Sequence, residues 1–186
     1  MPADPISWTS ERFSKNYIAD YKPYNFVDGE GVRCSIYVSG CPFACKGCYN
    51  KVAQNFSYGS PYTEELENQI ITDLSADYCQ GLTLLGGEPF LNTGVTIPLC
   101  EQVRETFGWN KDIWSWTGYT WDELMQGTKD KRRLLELIDV LVDGRFEQDK
   151  MNLNLAFRGS SNQRIIDVQQ SLNRGEVVLW NNGEYV

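Results

Sequence analysis

The run Cys41-Pro42-Phe43-Ala44-Cys45-Lys46-Gly47-Cys48 constrains this chain more than any other feature, because it crowds three thiols into eight residues directly after a strand-like stretch. Ionised thiolates this close repel one another, and a bound cation or iron-sulfur cluster makes their proximity favourable. The local reading is a metal centre carried on a loop, so the fold must offer a strand end where that loop can open onto a cavity. Two other readings use the same residues. One is a closed structural zinc site with Cys34 as fourth ligand, although the spacing differs from the usual paired C-x-x-C. The other is a redox disulfide between Cys45 and Cys48. Histidine is absent from all 186 residues, which removes Ser-His-Asp and Cys-His nucleophile systems and H-E-x-x-H metalloproteases.

The patterning around the loop alternates between strand and helix. Residues 1–28 read as an irregular aromatic lead-in with Tyr17, Tyr21, Tyr24 and Phe26, ending in the turn Asp28-Gly29-Glu30-Gly31. Strands are expected at 32–38 (VRCSIYV), 81–85, 112–116 and 140–142, with short extended pieces at 165–168 and 177–180. Helices are expected at 63–74, 97–107 with Pro98 in its first turn, 121–125 and 132–138; residues 169–186 form a C-terminal tail. This order implies an α/β fold with mostly parallel strands. Each strand is followed by small, polar or reactive residues: the cysteine loop, then Gly86-Gly87-Glu88, then Thr117-Gly118, then Asp143. In parallel α/β folds that edge is where sites are assembled. A complete eight-unit barrel takes about 250 residues, so the expected fold is a partial, open TIM-like β/α barrel, with 1–186 as one domain.

A formal charge of −8 argues against nucleic acid as substrate. No apolar run is long enough to span a membrane. The N-terminus has no basic segment followed by an apolar one, so reduced thiols and a cytoplasmic location are expected.

The cysteine spacing, followed by Gly86-Gly87-Glu88-Pro89, resembles the radical S-adenosylmethionine enzymes. Residues 29–50 (GEGVRCSIYVSGCPFACKGCYN), 114–124 (WSWTGYTWDEL), 139–147 (DVLVDGRFE) and 157–167 (FRGSSNQRIID) further resemble the activating proteins of anaerobic (class III) ribonucleoside-triphosphate reductases. The likeness runs from about residue 21 to 168. In many radical S-adenosylmethionine enzymes the residue before the third cysteine is aromatic. Here it is Gly47, as in the reductase activators, with Tyr49 following the cluster motif. No second cysteine-rich run is present, so one cluster per chain is expected.

The resemblance implies one [4Fe-4S] cluster held by Cys41, Cys45 and Cys48, with an open iron for S-adenosylmethionine. Gly86, Gly87 and Glu88 would lie at the methionine end, and the backbone of Gly47, Cys48 and Tyr49 at the adenine. Thr117, Asp143, Arg158 and Arg164 are candidates for ribose or carboxylate contacts by strand-end position or charge, with ordinary loop and surface roles as the alternative. Arg33 could brace the cluster loop. Cys34, Cys79 and Cys100 are expected to be packed; Trp114, Trp116 and Trp121 belong to the core or the barrel mouth. The implied activity is that of an oxidoreductase that cleaves S-adenosylmethionine reductively to methionine and 5′-deoxyadenosine. It would thereby install a glycyl radical on the large subunit of the reductase, with no catalytic acid or base beyond the cluster site. Implied partners are that subunit, a flavodoxin-like electron donor and a second activator copy within the reductase complex. A different target, or a zinc-stabilised binding module, are the alternatives.

Overall fold

The computed structural model describes residues 4–185. One seven-stranded sheet organises them, in the order β3-β1-β2-β4-β5-β6-β7. The strands are β1 (Tyr17–Asn25), β2 (Val32–Val38), β3 (Ser60–Pro61), β4 (Cys79–Gly86), β5 (Asp112–Trp116), β6 (Val140–Asp143) and β7 (Arg164–Asp167). The four central strands β2, β4, β5 and β6 pair in parallel. Antiparallel pairs join β1 to β2, β3 to β1, and β7 to β6. The result is a mixed α/β fold in which five of seven strands run the same way.

The central strands are short apolar runs because both of their faces are covered. Successive residues alternate between two apolar layers. Ile113, Leu141 and Ile166 enter the main core, which the helices cover, while Trp114, Val140, Val142 and Ile165 form a second layer with Phe157, Trp180 and Tyr185. The helices are α1 (Ser10–Phe13), α2 (Glu64–Leu74), α3 (Thr93–Phe107), α4 (Trp121–Met125), α5 (Lys129–Leu137) and α6 (Val168–Arg174). Their starts are written in the sequence: the Thr63 hydroxyl accepts the Leu66 N–H, Thr120 and Glu123 form a capping box, and Asp167 accepts the Gln170 N–H.

Several expectations change. The lead-in at 1–28 contains β1, a nine-residue strand in which only Ile18 is buried, so it carries no apolar alternation to betray it. Helix α3 starts at Thr93, and Pro98 lies inside it rather than in its first turn. The opening Thr-Gly-Val-Thr has weak helix propensity and hid that start. The tail at 169–186 opens with most of α6. Arg33 has no exposed surface and braces the opposite end of the sheet from the cysteine loop. It pairs with Asp112, donates to the Thr83 hydroxyl and the Leu82 carbonyl, and lies over the Trp114 ring. Among the described residues no helix is long and apolar enough to cross a membrane.

Candidate metal centre

Because β2, β4, β5 and β6 are parallel, their C-terminal ends share one edge, and the loops leaving them meet there. Main-chain hydrogen bonds fix that meeting. The Gly87 N–H donates to the Val38 carbonyl at 2.7 Å, and the Glu88 N–H to the Gly40 carbonyl at 2.8 Å. On the other side of the cysteine loop, the Gly40 N–H donates to Ala53 and the Cys41 N–H to Gln54. A side chain at position 87 would put its Cβ 2.6 Å from the Gly40 carbonyl oxygen, so only glycine lets β4's exit loop lie this close to the cysteine loop.

Cys41, Cys45 and Cys48 line a cavity of about 150 Å³ together with Gly86, Gly87 and Glu88. Thr117, Gly118, Gly144, Phe146 and Gln163 contribute the remaining strand-end walls. Burial pushes the Cys41 and Cys45 thiols up, and the nearby Glu88 carboxylate pushes Cys41 further. These thiols need a positive partner to ionise, which is what a metal centre supplies. Among the described residues no three Cys, Asp or Glu side chains gather around a point where a single ion could sit. Three thiols lining one cavity are the donor type that iron-sulfur clusters take. Cys34 is elsewhere: its sulfur lies 3.7 Å from that of Cys79, both residues buried, and Cys100 is buried on α3.

Glu88 forms part of the wall but has no accessible surface, and its carboxylate is engaged within the protein. Oε1 accepts the Phe90 N–H at 3.1 Å and the Thr117 hydroxyl at 2.8 Å, and Oε2 accepts the Gly118 N–H at 2.8 Å. Burial outweighs these three donors and pushes the carboxyl up to about 7. Thr117 also accepts the Tyr119 N–H, so its hydroxyl braces the β5 exit.

Asp143 and Arg164 do not line the cavity. Asp143 accepts the Trp121 N–H at 2.8 Å and forms an ion pair with Arg164, whose guanidinium it holds above its ordinary value. Arg158 donates to the carbonyls of Gln163 and Tyr185 and lines a wider cleft of about 650 Å³ beside the cavity. Cys48, Trp116, Phe146 and Gln163 belong to both spaces. Tyr49 lies in the cleft, 69% exposed, edge-on to Phe146 with ring centres 5.9 Å apart. Gly47 takes a left-handed φ of 77°, and a Cβ there would press on Gln148 and Phe146.

Sequence reasoning left Phe43, Asn50, Phe146 and Gln163 out of the site. Gln163 ties the ends of the β6–β7 loop together: its Oε1 accepts the Gly159 and Ser160 N–H groups and its Nε2 donates to the Gly144 carbonyl. Gly144 and Gly118 could have been found from strand-end position; Gln163 carries no such signal. Of the tryptophans, Trp116 reaches the cavity, while Trp114 and Trp121 are buried.

The family model described as a 4Fe-4S single cluster domain matches residues 27–166, which sets the chain among single-cluster iron-sulfur proteins. A protein of Pasteurella multocida (strain Pm70) named anaerobic ribonucleoside-triphosphate reductase-activating protein is 47% identical over 154 residues, covering 81% of this chain and 96% of its own. Proteins of the same name from Escherichia coli (strain K12) and Enterobacteria phage T4 are 43% and 38% identical, over 78% and 81% of this chain and 94% and 92% of theirs. The chain belongs to the anaerobic ribonucleoside-triphosphate reductase-activating proteins.

Proposed function

We propose that this chain activates an anaerobic ribonucleoside-triphosphate reductase by generating a glycyl radical on its large subunit. The observation that carries this reading is the convergence of Cys41, Cys45 and Cys48 with Gly86 and Gly87 on one cavity. The three cysteines would hold a single [4Fe-4S] cluster, which when bound supplies the electron for reductive cleavage of S-adenosylmethionine to methionine and 5′-deoxyadenosine. The hydrogen that completes 5′-deoxyadenosine comes from the glycine Cα of the reductase, which leaves the radical there. No residue of this chain has to transfer a proton.

The protein's own task is to bind, orient and shield. Gly86 and Gly87 bring bare backbone to the cavity wall, where their carbonyls can receive the methionine ammonium. Glu88 serves this end indirectly by joining the exits of β4 and β5. Cys48 and Tyr49 border the wider cleft on the side where adenine would lie, and Gly47 packs next to them against Gln148 and Phe146. Thr117 in the cavity and Arg158 in the cleft are the remaining candidates for the ribose or carboxylate, since Asp143 and Arg164 satisfy each other.

Exposed apolar groups border the cleft: Val27 at 73%, Tyr49 at 69% and Leu153 at 81% exposure. A macromolecular substrate that covers them would complete the wall of the site. The remaining parts of this reading are an open-barrel curvature of the sheet over a single domain of 1–186, a flavodoxin-like donor, pairing of two activator copies in the reductase complex and a cytoplasmic setting.

The test is anaerobic electron paramagnetic resonance of the iron- and sulfide-reconstituted, reduced chain, with and without S-adenosylmethionine. A cluster signal that changes shape on adding the cosubstrate supports the reading. Zinc without a cluster, or a cluster indifferent to the cosubstrate, defeats it.

A further inference from the structure

Two buried polar side chains stand behind Phe43 of the cysteine loop: Tyr119, whose hydroxyl is unpartnered, and Lys131, whose ammonium is bonded to neutral oxygens. Tyr119 has no accessible surface, and its hydroxyl has no hydrogen-bond partner. Its ring stands edge-on to Phe43, the residue between Cys41 and Cys45 in the loop, with ring centres 4.9 Å apart. Lys131, on α5, is also without accessible surface. Its Nζ lies 5.0 Å from the centre of the Tyr119 ring and donates to the Trp8 carbonyl and, at 3.4 Å, to the Thr128 hydroxyl. Among the described residues it makes no ion pair.

A buried ammonium bonded to neutral oxygens and a buried hydroxyl without an acceptor are both unfavourable unless negative charge sits nearby. Three sources of negative charge bear on the pair. Asp130, next to Lys131 on α5, is the first and Glu88 the second; the coupling of both carboxylates to Lys131 opposes the loss of that lysine's proton, Asp130 more than Glu88. The third is the thiol site, since Cys41 is among the groups whose charge Tyr119 senses, with Glu88, Glu123 and Arg145. Three thiolates around a cluster concentrate negative charge at the Phe43 loop, and one-electron reduction adds to it. A fixed positive charge and an O–H dipole close by favour the reduced form.

We infer that Tyr119 and Lys131 are positioning residues that act through the cysteine loop to raise the reduction potential of a cluster held by Cys41, Cys45 and Cys48. The inference rests on the proposed cluster site and says how this chain makes the centre easier to reduce.

The test is an anaerobic redox titration of the reconstituted full chain, followed by the signal of the reduced cluster, for the parent protein, Tyr119→Phe, Lys131→Met and Lys131→Arg. Tyr119→Phe removes only the hydroxyl and is expected to move the midpoint to more negative potential. Lys131→Met removes the charge at similar volume and is expected to move it further, on the order of tenfold in the reduction equilibrium, or 59 mV for a one-electron couple. Lys131→Arg keeps the charge and is expected to restore most of the parent value. Equal midpoints in the parent and Tyr119→Phe, with full cluster content, overturn the inference even if Lys131→Met does not fold. A purely structural role would change thermal stability or cluster content and leave the midpoint alone. A parent chain that binds no cluster defeats the proposed function itself, which is a separate outcome.

Discussion

Glu88 accepts the backbone N–H of Gly118 at 2.8 Å, so a single carboxylate joins the loop leaving β4 to the loop leaving β5. It also accepts the Thr117 hydroxyl and the Phe90 N–H. Glu88→Gln would turn an NH2 group toward one of these donors and leave it unsatisfied. At pH 5, where the carboxyl is protonated, the expected loss is about 1–3 kcal/mol of stability, read by urea unfolding of the metal-free chain.

The same carboxyl gives the fold a pH dependence of defined sign. Its folded value, about 7, lies above the ordinary 4.5, so the folded state holds the proton over a window where the unfolded state has lost it. Stability from this group is complete below that window and falls as pH rises from about 4.5 to 7, by roughly 3 kcal/mol. Urea midpoints at pH 5 and pH 8 measure the fall. Glu88→Gln should flatten it.

Alanine at Cys41, Cys45 or Cys48 is expected to abolish bound iron after reconstitution, whereas Cys34→Ala should retain the parent iron content. Cys34 lies against Cys79 and not against the cavity, so its loss costs packing only. Iron analysis and visible absorbance separate the two outcomes; iron loss in Cys34→Ala would restore the four-cysteine zinc reading.

Gly87→Ala would drive a methyl group into the Gly40 carbonyl. The strands beneath cannot part without breaking the Val38 to Gly87 hydrogen bond, so the cysteine loop must shift. The expected effect is about 1–3 kcal/mol of destabilisation together with a lowered iron content, checked by thermal unfolding and metal analysis of one preparation.

Leu153→Asp alters the most exposed apolar group of the cleft without touching the cavity. Cluster content and the spectral response to S-adenosylmethionine should persist, while the yield of glycyl radical on added reductase falls severalfold. Spin counting on the mixture measures it.

Much of the frame was legible in the sequence. The strands at 32–38 and 112–116 and the helix at 121–125 coincide with β2, β5 and α4, because apolar runs ending in Ser39-Gly40 and Thr117-Gly118 and a capping box are local signals. β1 was not legible, since its stability comes from pairing with β2 rather than from its own pattern. The thiols and Gly86 to Glu88 line one cavity, as strand-end position suggests, but the direction of a side chain is a tertiary fact. Glu88 and Asp143, read as groups for a ligand, have protein donors at both of their oxygens. Gln163 was invisible because its three hydrogen bonds are all to backbone groups brought close only by the folded β6–β7 loop.

The hydrogen bonds that seat the cysteine loop run from Gly40, Cys41, Gly87 and Glu88 through main-chain atoms alone. Every amino acid but proline offers the same N–H and C=O, so a position such as Lys46 can drift without unseating the thiols, whereas Phe43 and Gly47 are held by packing and conformation. Lineages are then free to vary the face shown to each client protein while inheriting the reactive centre intact.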